Sequence, residues 1–236
     1  EAQASTDPPT FFFIPTLDQY EAVLGRDFVP YLINSFTAAI FSTLLAIVLA
    51  LPAAYALSLA RVPGWRDSLF FFLSTRMMPA VASILPLYIL VRNIGMLDDI
   101  RMLSIIYTAM NLAIAIWMIR SFLLELPKEV LEAARVDGAT LLVEMRRVIL
   151  PMIAPGLAAT ALICFIFAWN ELLLANTLTS VIAGTAPVFL TSFITSQGLF
   201  LAKVCAAATV VSPPLQARPA RRAGPHPPRA AGRPAR

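Results

Sequence analysis

Residues 28–60 read FVPYLINSFTAAIFSTLLAIVLALPAAYALSLA, 33 consecutive positions without an acidic or basic side chain, closed by Arg61. A hydrocarbon layer of about 30 Å needs roughly 20 apolar helical residues to cross it, so this run spans a bilayer with several turns to spare. A soluble core has no use for such a run. Asn34 and Ser35 are candidates to cap its helix, and Pro52 predicts a kink.

Further runs follow. A second covers about 68–91 and contains Arg76, Pro79 and Pro86. A third, Met102 to Ile119, is 18 residues long between Arg101 and Arg120, just enough to cross. The fourth, Val148 to Asn170, is 23 uncharged residues between Arg147 and Glu171, with Trp169 at its end as an interfacial aromatic. A fifth begins near Leu199 and stops at Val211, too short to span. The whole chain is 58% hydrophobic and 14% charged, where a soluble domain carries about a quarter charged residues. The expectation is one all-α polytopic membrane domain over 28–215.

The net charge of +4 comes from the end of the chain. Residues 216–236 hold six Arg (218, 221, 222, 229, 233 and 236) and no acid, which leaves 12 basic against 14 acidic residues in the rest. Nucleic-acid binding is therefore not expected of the body. Cys164 and Cys205 lie apart in apolar stretches and read as packing residues rather than a disulfide or metal cluster. The one histidine, His226, is in the tail, so the membrane body has no histidine for catalysis.

Arg and Lys gather in short cytoplasmic loops. Placing 61–66, 120–147 and the tail inside puts seven basic residues there even without the tail, against Arg26, Arg92 and Arg101 outside. Residues 1–27, with Asp7, Asp18 and Glu21, are then extracytoplasmic. A chain that starts outside without Met or an apolar leader implies at least one earlier span, six in all. The tail is built of Ala, Arg, Pro and Gly and cannot form a core. It reads either as a basic disordered segment touching anionic lipid or, preferably, as a reading-frame slip that truncates the last helix.

Between the third and fourth spans lies LPKEVLEAARVDGATLLVEMRRVIL, residues 126–150. Pro127 suits the first helical position, Val130, Leu131, Ala134 and Val136 supply an apolar side, and Gly138 ends the helix. A second short helix is expected from Ala139 to Arg147. The segment is either an interfacial connector or a docking knob for a soluble partner.

Glu132-Ala133-Ala134, then Asp137-Gly138-Ala139, then Val148-Ile149-Leu150-Pro151 with Pro155-Gly156 beyond, resemble the EAA loop of binding-protein-dependent ABC permeases, Val148 standing where Ile is usual. PTLDQYEAVL (15–24), INSF (33–36), LPAAYALSLARVPG (51–64), STRMMPAVASILPLYIL (74–90) and FAWNELLLA (167–175) resemble the carbohydrate-uptake branch, sorbitol and mannitol permeases above all. The resemblance covers about 8–215. It implies a type I ABC importer permease fold with five of six spans present. It also implies a second permease subunit, two copies of a cytoplasmic ATPase that uses ATP and Mg, and an extracytoplasmic solute-binding protein. Glu132, Ala133, Ala134, Asp137, Gly138, Leu150 and Pro151 would then form the ATPase-coupling element. The chain has no Walker A sequence of its own and is expected to bind no cofactor.

Arg76, about ten residues into the second span, is a costly charge that faces either a cavity or a buried partner. Asn111, Asn170 and Glu171 are the other polar candidates for a solute path, although Asn111 also suits gluing helices together. Trp117 and Trp169 read as sugar-stacking rings or as interfacial anchors. Residues 172–202 carry no charge but are rich in Thr and Ser, and read as an external loop or surface helix. A secondary transporter would need intramembrane carboxylates, which the spans lack. A non-functional permease fragment is the remaining alternative.

Overall fold

The computed structural model describes residues 16–212 except 26, 27, 61, 78, 196 and 197. Most of the N-terminal segment, the basic tail with His226, Arg26 and Arg61 therefore lie outside the described residues. A short helix α1 (Asp18–Leu24) precedes the first long one, α2 (Phe28–Ser58). Next come α3 (Trp65–Met77), α4 (Ala80–Asn93), α5 (Ile100–Leu124), α6 (Lys128–Val136), α7 (Leu141–Glu144) and, after a π turn at Met145–Ile149, α8 (Leu150–Trp169). The last described elements are α9 (Leu173–Leu178), α10 (Ala186–Thr191), a two-residue antiparallel ladder of β1 (Ile194–Thr195) and β2 (Gly198–Leu199), and α11 (Leu201–Val211).

Three helices among the described residues are long and apolar enough to cross a membrane, or four if α3 and α4 form one bent span. They are α2, α5 and the continuous rod Leu141–Trp169. Their outward faces carry exposed Phe41, Val48, Ile105 and Leu162, as lipid contact requires. The inward face of α2 is a stripe of small residues, Ala38, Ser42, Ala46, Ala50 and Ala54, each buried. Small side chains every four residues let two backbones approach closely where lipid offers no hydrophobic drive. The partner is α5, and the two run in the same direction. Thr108 donates to the Ser42 carbonyl at 3.4 Å, and further along Arg120 Nε donates to the Leu57 carbonyl at 3.4 Å.

Several sequence expectations shift here. Asn34 and Ser35 do not cap α2, which starts at Phe28; both lie one to two turns inside it and bond to the loop before α10. The third span does not stop at Ile119, because Arg120 folds back with its guanidinium carbon 5.2 Å from the Trp65 ring centroid, and the helix continues to Leu124. The second run is built of two helices that meet at 95°, a far sharper bend than a proline kink. Pro79, with no N–H to give, stands in an extended conformation at the start of α4.

The expected second short helix, Ala139–Arg147, is instead the first part of the rod that becomes α8. The π turn has a local cause: Pro151 cannot donate, and its ring would crowd the carbonyl four residues back in an α-helix. Gly156 seats on the Phe122 ring, where a Cβ would overlap it. Residues 172–202 are more than a surface loop, since Leu174, Ala175, Leu178, Ala186, Phe189 and Phe193 are buried in the core at that end. Cys164 is buried as expected, whereas Cys205 is exposed.

Candidate functional site

The motif segment forms an elbow at one end of the bundle. Pro127 precedes α6 as its cap residue rather than its first residue, and nine helical residues follow. Gly138 has φ +79° with open space around it, so the left-handed backbone conformation, and not crowding, calls for glycine. Leu131 is the α6 side chain that turns inward, at 4% exposure, with Ala134 half-buried. The expected apolar side is thus narrower than the sequence suggested, and Val136 is 87% exposed. Glu132, Ala133, Asp137 and Gly138 face outward together. Leu150 and Pro151 are not on that surface; they form the first turn of α8 beyond the π turn.

One contact fixes the elbow that the sequence reading did not anticipate. Arg135 donates through Nε and Nη2 to the two carboxylate oxygens of Glu144, at 3.1 and 3.0 Å. The Glu144 side chain is 3% exposed and that of Arg135 52%. A two-pronged guanidinium–carboxylate pair fixes direction as well as distance. It ties α6 to the rod across the Gly138 turn. Opposite charges flanking that turn were the available sequence signal.

Midway along the bundle Arg76, Asn170 and Glu171 come together in an open cleft of about 410 Å³, with Met110 and Phe167. Arg76 Nη1 donates to the Met110 carbonyl at 3.0 Å, and its guanidinium carbon lies 5.5 Å from the Phe167 ring centroid. Met110 is ten residues into α5, roughly 15 Å below its first turn. Glu171 is occupied: its carboxylate accepts the N–H groups of Leu174 (3.0 Å to Oε2) and Ala175 (3.2 Å), holding the start of α9. Asn170 Nδ2 donates to the Ile166 carbonyl at 2.8 Å.

Asn111 does not join this group. It is fully buried, and its Nδ2 donates to the Cys164 carbonyl at 3.1 Å, which glues α5 to α8. Its Oδ1 has no protein partner among the described residues. Trp169, expected at an interface or against a sugar, is 1% exposed and stacks on Phe165 at 5.5 Å with Phe36 edge-on at 4.7 Å. Trp117 is the exposed one.

The end opposite the elbow is organised by Asp98, which the sequence reading passed over. Asp98 has φ +58°, and its carboxylate accepts four backbone N–H groups, from Ser180 (2.8 Å), Val181 (3.1 Å), Ile182 (3.0 Å) and Ala183 (2.8 Å). Burial works against its charge, but those four donors outweigh it and hold its pKa below the usual carboxylate value. The Asn34 amide binds the carbonyls of Ile182 and Gly184, and Ser35 Oγ accepts the Ala186 N–H. The donors lie 82 to 85 residues away in sequence, so no local pattern announces them. Among the described residues no group of three or more His, Cys, Asp or Glu side chains is placed to hold a metal ion.

The family described as the inner membrane component of binding-protein-dependent transport systems matches residues 46–213, which include the elbow, the cleft and the Asp98 end. The chain belongs to this family. As an ABC transporter permease it is 39% identical over 180 residues to the trehalose transport system permease of Mycobacterium tuberculosis, covering 75% of this chain and 66% of that protein. It is 35% identical over 196 residues to the diacetylchitobiose uptake system permease of Streptomyces coelicolor, covering 82% of this chain and 71% of that one. The fold of the permease is shared with a crystal structure of a bacterial ABC transporter involved in import of the acidic polysaccharide alginate. That match has a TM-score of 0.69 and 24% identity, over 89% of this chain and 79% of the other. The permease is thus a multi-pass inner-membrane transport component with the ABC importer fold.

Proposed function

We propose that this permease forms part of the translocation path of an ATP-driven importer for a sugar or sugar alcohol. It pairs with a second permease subunit, two ATP-binding subunits and an extracytoplasmic solute-binding protein, within membrane lipid. The observation that carries the reading is the elbow: Glu132, Ala133, Asp137 and Gly138 stand exposed on a short helix locked to a membrane rod by Arg135 and Glu144. A rigid, outward-facing knob of this kind is what a soluble motor needs to push a membrane helix. The Gly138 end is then cytoplasmic, and the ATP and Mg belong to the partner ATPase. The Asp98 end is extracytoplasmic and offers its cap, with Val181 and Ile182 exposed at the tip, to the binding protein.

Arg76, Asn170 and Glu171 line the solute path in this reading, and Asn111 supports it from behind. A charge at mid-membrane depth on an open face is tolerated where it meets a cavity or a partner. Hydroxyl-rich solutes suit a guanidinium beside an aromatic face. The names of the relatives speak of trehalose and diacetylchitobiose, whereas the motif stretches resemble sorbitol and mannitol permeases.

The test is co-expression with the neighbouring permease and ATPase, reconstitution with the binding protein, and uptake of trehalose, diacetylchitobiose, sorbitol and mannitol. ATP-dependent uptake of one of these is expected. Arg76→Gln should lower it about tenfold, as the loss of a charge-assisted contact implies, without loss of assembly. Assembly without ATPase binding would overturn the coupling reading, and undiminished uptake by Arg76→Gln the path reading.

A further inference from the structure

On the face of α5 away from Arg76 lies a second cavity, an apolar groove of about 630 Å³ between α2 and the first turns of α5. We propose that it holds one acyl chain of a membrane phospholipid from the leaflet at the Asp98 end, with the lipid phosphate on Arg101. The inference rests on the path reading in one respect, namely which face of α5 is turned toward the partner permease.

Three observations place the lipid there. First, the groove is built for a chain of methylenes: Phe41, Leu44 and Val48 line it from α2, and Ile100 and Ile105 from α5. From Thr37 to Val48 it runs eleven residues along α2, roughly 16 Å. One leaflet of a hydrocarbon layer about 30 Å thick is about the same depth. Second, the cation stands at one end only. Arg101 is exposed, and the one ion pair among the described residues is Arg135 with Glu144, so its guanidinium has no carboxylate partner. The two acids beside it are engaged: Asp98 holds the 180–183 amides, and Asp99 accepts the Arg101 backbone N–H at 2.7 Å.

Third, Arg101 and Met110 are nine residues apart on one helix, which places them about 180° apart around its axis. If the Arg76–Met110 cleft faces the partner permease and the path, the groove faces lipid. An apolar slot capped at headgroup height by a guanidinium with no ion-pair partner among the described residues then suits a phosphate bearing an acyl chain.

The experiment uses the assembled importer in detergent, stripped of lipid, and reads lipid adducts by native mass spectrometry. The probes are phosphatidylglycerol, phosphatidylethanolamine and a diacylglycerol with the same chains. Saturable phospholipid binding is expected. It should weaken about fivefold in Arg101→Gln, in line with one cationic headgroup contact, and vanish in the groove-filling Leu44→Trp/Val48→Trp double variant. Diacylglycerol should bind weakly and equally to wild type and Arg101→Gln.

Phospholipid binding unchanged by Arg101→Gln, or diacylglycerol binding as tightly as phospholipid, would overturn the proposal. So would a disulfide from Leu45→Cys to a cysteine on the partner permease. Co-purification of each variant with the ATPase checks that it has folded. A separate cross-link from Met110→Cys to the partner tests the path reading by itself, so its failure is distinguishable from failure of the lipid site.

Discussion

The two ends of the permease are held in opposite ways. At the Asp98 end, one carboxylate accepts four backbone N–H groups, while Asn34 and Ser35 bond the same cap from α2. At the Gly138 end, α6 is held by a glycine turn, the buried Leu131 and a two-pronged pair whose arginine is half-exposed. Several short bonds converging on a backbone make a lid that moves with the bundle. In the proposed coupling, a turn, one buried leucine and one ion pair make an arm that transmits force and can still be re-aimed. That difference is what a transporter needs if one end receives solute and the other receives the push of a motor.

The largest expected effect comes from Gly138→Pro. Proline fixes φ near −65°, incompatible with +79°, so the arm is re-aimed and coupled uptake should fall to background. Membrane insertion and protection of the 180–183 amides should stay at the wild-type level. Residual coupled uptake in that variant would break the contrast between arm and lid.

Asp98→Asn should come next. Removing the charge that four amides share is expected to cost about 2 kcal/mol, measured as the drop in stability and as faster amide exchange at 180–183. The pH dependence has a definite sign. The folded-state pKa of Asp98 lies below its unfolded value near 4, so its contribution is complete above about pH 4 and is lost as pH falls through the lower folded value. Wild-type protection of these amides, corrected for intrinsic exchange, should fall in that acid range, and Asp98→Asn should not show the step.

Glu144→Gln is expected to have the smallest effect on stability, about 1 kcal/mol. Arg135 is half-exposed and is rehydrated when its partner charge is lost. Its sharper readout is the ratio of solute moved to ATP hydrolysed, which should fall while ATPase binding persists. An unchanged ratio would show that the pair is not part of the arm.

Much of the fold was legible because exclusion of charge is a local property. The 28–60 and 148–170 runs give α2 and the greater part of the rod directly, and the glycine stop of α6 is equally local. The Ala38–Ala54 stripe was equally present in the sequence, but it was masked by the apolar residues around it. Arg76 was legible as a charge deep in a span, and the structure brings it to Asn170 and Glu171. Asn111 was read as path or glue, and its amide bonds the Cys164 carbonyl between α5 and α8. The Asp98 cap was not legible, since its donors are backbone groups that any residue supplies, more than 80 residues distant. Nor was the break between α3 and α4, because a proline inside an apolar run signals a bend without giving its angle.

The π turn has a further consequence for the rod from Leu141 to Trp169. Its inward positions are Glu144, Ile149, Ile153, Gly156, Thr160 and Cys164, each buried. The interval is five residues across Met145–Ile149 and three or four everywhere after it. A π turn accommodates one residue more than an α turn, so it resets the angular phase of the rod by about 100°. Without that reset, the helix that aims Ile149 and Gly156 into the bundle would carry Glu144 round toward lipid, out of step with the arginine it must meet.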